Sequence, residues 1–182
     1  MAATTTGRGR AYEMLNAGFS LIELLVVVAI ILIIAAIAIP NFMRARMAAN
    51  EAAAASNVRT VTTAAVIYST TWGNGYPPLL ATLGGVGLGA SCNQANLIDG
   101  VLASGQKTGY AYVYAGQGPT VIAPPGCGAP GYEAYLVSAK PITPGVTGTR
   151  SFCSDEPGVI HYDIAGAAIN SVAACAALPA LQ

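Results

Sequence analysis

Gly18-Phe19-Ser20-Leu21-Ile22-Glu23-Leu24-Leu25 opens a run in which every residue from Leu24 to Ile39 is apolar. Residues 19–39 span about 31 Å as an α-helix, the thickness of a bilayer's hydrocarbon core, so the segment reads as a membrane-crossing helix. A carboxylate inside such a helix costs roughly 2.5 to 3.5 kcal/mol at the centre and less near an interface, so Glu23 needs a partner. If the chain is cut between Gly18 and Phe19, the new α-amino group of Phe19 lies one turn from Glu23. An amine and a carboxylate on apolar helices then have the means to pair between neighbouring molecules, which is a polymerisation device.

The residues Gly18, Phe19 and Glu23, followed by Ala38-Ile39-Pro40, resemble the class III signal of type IV pilins and type II secretion pseudopilins. The resemblance covers residues 7–47 and does not extend into the rest of the chain. It implies that prepilin peptidase, a membrane aspartyl enzyme, cuts after Gly18 and methylates the amine of Phe19. It also implies that Glu23 neutralises the Phe19 amine of an adjacent subunit during assembly, and that Pro40 marks a mechanical hinge in the helix.

Two blander readings share parts of this pattern. A secretory signal peptide has basic residues, here Arg8 and Arg10, an apolar core and a small-x-small site such as Ala36-Ile37-Ala38. Against it, the polar leader is long, Glu23 interrupts the apolar region and the run exceeds the usual core length. A generic single-pass anchor explains the length but leaves Gly18, Glu23 and Pro40 as coincidences. Positive charge kept on the cytoplasmic side orients the helix with its C-terminal end outward.

Only 9% of the residues are charged and the formal net charge is +0, so the chain lacks the basic patch of a nucleic-acid binder. Cys92, Cys127, Cys153 and Cys175 all follow the apolar run, none in CxxC spacing, and there is a single histidine. That composition disfavours zinc and points to two disulfides in an oxidising compartment, with three connectivities open and free buried thiols as the alternative. The resemblance implies Cys153 with Cys175, closing a C-terminal loop like that of many pilins, and leaves Cys92 with Cys127.

The organisation that follows is a leader over 1–18, a transmembrane and assembly helix over 19–39, the rest of the long helix over 40–72 and a globular head over 73–182. Pro40 cannot donate to the Ala36 carbonyl, a loss of about 3 kcal/mol in a regular helix, so a kink or a short melted segment is expected there. Val58, Val61, Ala65, Tyr68 and Trp72 recur at spacings of three and four and form the stripe that faces the head. Gly73-Asn74-Gly75 and Pro77-Pro78 end the helix. Residues 79–90 read as a glycine-rich loop and 93–103 as a short helix. Strands are expected over 110–114, 132–138, 151–154 and 159–163, the last two joined by Asp155-Glu156-Pro157-Gly158, with a tail over 164–182 that is loop or short helix. The fold class is α+β: one long helix on a four-stranded antiparallel sheet with disulfide-stapled loops, which is also the pilin fold by resemblance.

No catalytic motif accompanies His161, whose strand alternation suits a structural role, so no enzyme activity and no cofactor are expected. Asp155, Glu156 and Asp163 are the one candidate calcium set, suggested by the calcium site of major pseudopilins, although their spacing follows no EF-hand pattern. Tyr110, Tyr112 and Tyr114 share a strand face, which favours sheet packing over an aromatic conduction path or a sugar site.

The resemblance thus implies a structural subunit of a type IV pilus, with copies of itself, other pilins, prepilin peptidase, an inner-membrane assembly platform and membrane lipid as partners. Its place is the bacterial inner membrane, head in the periplasm, and then the filament. A pseudopilin of type II secretion is the alternative within the family. A secreted or membrane-anchored, non-polymerising binding domain is the alternative of a different class.

Overall fold

No glycine falls between Ser20 and Gly73, and alanine, leucine and straight-chain residues supply good helix propensity across much of that interval. A computed structural model describes residues 19–85, 87 and 89–181, and in it one helix, α1, runs Leu21–Trp72. The leader, with Gly18, Arg8 and Arg10, lies outside the described residues. The helix continues through Pro40, so of the kink or melted segment expected there the melted segment is not found. A missing N–H removes one hydrogen bond, and the turns on either side hold the helical path. Gly73 ends α1 with φ of +61° and donates its N–H to the Ser69 carbonyl at 3.0 Å, a conformation that a Cβ would penalise.

The chain divides into two units after Pro40. In the first, the side chains of 21–39 are exposed almost without exception. In the second, Ala54, Val58, Val61, Ala65 and Tyr68 of α1 are buried against a five-stranded antiparallel sheet. The strands are β1 Gln106–Lys107, β2 Tyr110–Val121, β3 Gly131–Pro141, β4 Ser151–Asp155 and β5 Ile160–Asp163, in sheet order β1-β2-β3-β4-β5. Four strands were expected from the sequence. The additional β1 is two residues long and pairs only with Ala111 and Tyr110, too short to carry a periodic signal.

β2 and β3 run past their expected ends: Gly116 stays in the ladder opposite Tyr135, and Gly118 and Pro119 form a bulge instead of breaking the strand. The register shifts between Gln117 and Thr120, and Gly118 takes φ of +77° there. One sheet face meets α1 through Tyr110, Tyr112, Tyr114, Tyr135, Val137 and Phe152. On the opposite face Leu136 and Cys153 pack with Ile169 and Cys175. All five residues of β4 are buried, which explains a strand whose sequence alternates no polar face.

Three short helices complete the second unit: α2 Leu80–Leu83, α3 Gly100–Ala103 and α4 Val172–Ala176. The first turns part of the expected 79–90 loop into one helical turn that buries Leu80 and Leu83. The expected helix over 93–103 is helical only in α3. Upstream of it, Ala95 and Leu97 donate backbone N–H groups to Thr82 and Leu83 carbonyls, and Asn96 takes φ of +52°. Asp99 starts α3 as its N-cap, accepting from the Leu102 N–H at 3.0 Å. The structure pairs Cys92 with Cys127 and Cys153 with Cys175, and the second bond ties α4 to β4.

Candidate functional site

The candidate site is the start of α1. Ser20 precedes the first helical residue, and its carbonyl accepts from the N–H groups of Glu23 and Leu24 at 3.1 and 3.2 Å. Glu23 therefore lies in the first turn, where the positive end of the helix dipole favours a carboxylate. Among the described residues it forms no ion pair. Around it Phe19, Leu21, Ile22, Leu24 and Leu25 are all at least 59% exposed. This helix is long and apolar enough to cross a membrane, and none of its most apolar window is buried. An apolar surface of that extent is stable only in lipid or against other protein. Of the expected site residues, Phe19 and Glu23 are brought within one turn of each other, Pro40 lies further along the same helix, and Gly18 falls outside the described residues.

A second carboxylate on α1 has the opposite surroundings. Glu51 is buried, and its Oε1 accepts from the Thr149 N–H and hydroxyl at 2.7 Å each and from the Arg150 N–H at 3.2 Å. Its Oε2 accepts from Arg150 Nε at 2.7 Å. The Arg150 guanidinium also lies 5.8 Å from the Phe152 ring and 5.6 Å from that of Tyr162. One residue earlier, Asn50 donates from Nδ2 to the Thr147 carbonyl at 2.9 Å. Burial by itself raises the pKa of Glu51, but the donors from Thr149 and Arg150 outweigh it and hold the carboxyl at about 2, against an ordinary 4.5. Burial, with Glu51 adding to it, pushes the Tyr110 hydroxyl well above its usual range; that hydroxyl donates to the Arg150 carbonyl at 2.8 Å.

This clasp is absent from the sequence reading, although one signal for it was present. Extending the stripe of Val58, Val61, Ala65, Tyr68 and Trp72 back by three-and-four spacing gives Ala54 and then Glu51, a charge on the face that must be buried. Its partners, Thr149 and Arg150, carry no local mark.

The remaining candidates have structural surroundings. His161 uses Nδ1 to donate to the Leu178 carbonyl at 2.7 Å, and the Tyr162 and Leu181 N–H groups continue the attachment of the last residues to β5. Tyr110, Tyr112 and Tyr114 are buried against α1, with Asn57 donating to the Tyr112 hydroxyl at 2.9 Å. The proposed calcium carboxylates are dispersed in role. Asp155 is buried, Glu156 is exposed in the turn, and Asp163 accepts from the N–H groups of Ala165 and Ala167 at 3.2 and 3.0 Å. Among the described residues no group of three or more His, Cys, Asp or Glu is arranged to hold a metal ion.

A family model, the prokaryotic N-terminal methylation motif, matches residues 14–39. A stretch of 49 residues, 27% of this chain, is 51% identical to the type IV major pilin protein PilA of Myxococcus xanthus (strain DK1622), and covers 22% of that relative's length. No solved structure matches the chain.

Proposed function

We propose, from an N-terminal segment that is of the type IV pilin and pseudopilin kind, that this chain is the structural subunit of a type IV pilus. The observation that carries the reading is the coincidence of the methylation motif with an α1 segment whose apolar side chains are, among the described residues, exposed and without a partner in their own chain. In this account prepilin peptidase cuts after Gly18 and methylates Phe19. The subunit waits in the inner membrane with its head in the periplasm, and the assembly platform then transfers it from lipid into a helical array of identical and related pilins. The helix exchanges lipid for neighbouring helices, so little apolar surface meets water at any stage.

Glu23 supplies the register. In a low-dielectric filament core an unpaired carboxylate is strongly unfavourable, and the N-methylated amine of Phe19 on an adjacent subunit is a cation of matching placement. A subunit that docks out of register leaves both charges unpaired. Pro40, lacking one helix hydrogen bond, gives the helix a local point of compliance as it packs.

Mass spectrometry of the mature N-terminus, in cells with and without prepilin peptidase, tests the reading. An N-methylated Phe19 that disappears without the peptidase is the expected result. A start near Ile39, or an intact Met1 in both strains, would overturn it in favour of a secreted or anchored domain. Sheared surface filaments containing the chain separate a pilus from the short pseudopilus of type II secretion.

A further inference from the structure

Two apolar features lie at opposite ends of β2, and among the described residues neither is covered by another part of the second unit. At one end is a groove of about 310 Å³ between α2, α3 and β2, with Leu79, Ala81, Ala103 and Val113 among its walls and no charged side chain lining it. Leu79 and Val113 are 60% and 56% exposed. A second hollow of about 220 Å³ shares Ala81 and Ala103 with the first and extends it toward Gly84 and Gly85. A hollow without a charged side chain, walled largely by leucine, alanine, valine and glycine, suits a branched aliphatic side chain better than an ion.

At the other end Ile122 follows the last residue of β2 and is 91% exposed, more than any other large hydrophobic among the described residues. Pro124 and Pro125 follow it after the single residue Ala123, and the Cys92–Cys127 disulfide closes the loop behind them. The isoleucine is therefore held out on a segment of restricted freedom, which lowers the entropy lost when it docks. From Val113 to Ile122 an extended chain advances about 30 Å at roughly 3.3 Å per residue, so the knob cannot fold back into the groove of its own copy.

We propose that Ile122 of one copy seats in the groove formed by Leu79, Ala103 and Val113 of the next copy. Knob and groove are different surfaces, so the contact is heterologous and repeats from copy to copy instead of closing a pair. It rests on the filament reading, for a reason of magnitude. Stable interfaces in dilute solution bury about 1,200–2,000 Å² in total, far more than one isoleucine supplies. Copies already gathered by their N-terminal helices meet at roughly millimolar effective concentration, where a small apolar contact suffices to fix how the heads stack. Successive heads are then offset along the direction of β2.

The test uses the full-length chain in cells that assemble it, carrying Ile122→Cys together with Val113→Cys, followed by oxidation and non-reducing electrophoresis. The expected result is a ladder of covalently joined subunits from the double variant. Co-assembled single variants should stop at dimers, and each single variant alone should give none. Wild-type-like filaments whose double variant stays monomeric would overturn the proposal. So would an Ile122→Cys single variant that dimerises as well, or a cross-link to some other protein. Absence of filaments from the unaltered chain would instead sink the filament reading itself, and this contact with it. Should the added thiols disturb the native disulfides, Ile122→Asp gives a second readout. Filament yield should fall roughly tenfold or more, since a charge replaces a buried side chain, with thermal unfolding of the head unchanged; undiminished yield overturns the proposal.

Discussion

Glu23 and Glu51 are both carboxylates on the apolar side of one helix, and their surroundings are opposite. Glu51 is buried with four donated hydrogen bonds, all from Thr149 and Arg150 of its own chain. Glu23 lies among exposed leucines and isoleucines and, among the described residues, pairs with no cation. The physical requirement is the same at both sites, because a carboxylate removed from water must be paired and hydrogen-bonded. The difference lies in who meets it. The second unit folds around Glu51 and satisfies it within the chain, whereas the first unit, in the filament reading, leaves Glu23 to be satisfied by another molecule.

That contrast is open to direct attack, beginning where the expected effect is largest. Glu23→Ala should abolish filaments while leaving membrane insertion and the thermal unfolding of the head unchanged. Sheared-filament yield beside a melting curve of the full chain in detergent checks both halves, and a normal yield would remove the intermolecular role of Glu23. Glu51→Ala should do the reverse in kind. It leaves the N–H groups of Thr149 and Arg150 without their acceptor and should destabilise the head by about 2–3 kcal/mol, seen as a shift of the denaturant midpoint at pH 7.

The folded-state pKa of Glu51 is depressed to about 2 from 4.5, so its contribution is fully present above the unfolded value and is lost as pH falls toward 2. The head should lose about 3 kcal/mol over that interval from this group. Glu51→Gln should be less stable at neutral pH and flatter in the acid range; equal slopes for the two proteins would mean that Glu51 is not the titrating group. The smallest effect belongs to Asn50→Ala, which removes one neutral hydrogen bond to the Thr147 carbonyl and should cost about 1 kcal/mol.

Much of the fold was legible in the sequence, for reasons of locality. The apolar run from Leu24 to Ile39, the helix stripe ending in Trp72 and the Gly73 stop are all written in near neighbours, and the structure places α1 at Leu21–Trp72 accordingly. Strand cores around Tyr110-Ala111-Tyr112 and Ser151-Phe152-Cys153 were visible as well, because β-rich residues mark themselves. Legibility failed where local signals pointed one way and distant partners decided otherwise. Asn93 to Leu97 looked helical in composition, but the neighbouring disulfide at Cys92 and backbone bonds to Thr82 and Leu83 hold that stretch as a turn and loop, with Asn96 in the left-handed region. Gly116 and Gly118 looked like the end of a strand, and the pairing of β2 with β3 carries the ladder past them through a bulge.

Local patterning alone specifies a membrane-length helix with a carboxylate at its mouth, the stripe by which that helix packs on a head, and a supply of cysteines for two bridges. These follow from periodicity and composition within a few turns of chain. Closure of the whole chain settles which cysteines pair, that a fifth strand joins the sheet edge, and that Glu51 closes onto Arg150 across 99 residues. A helix face is announced every three or four residues, whereas a contact across such a distance depends on how the whole chain closes, and no short stretch of residues carries that information.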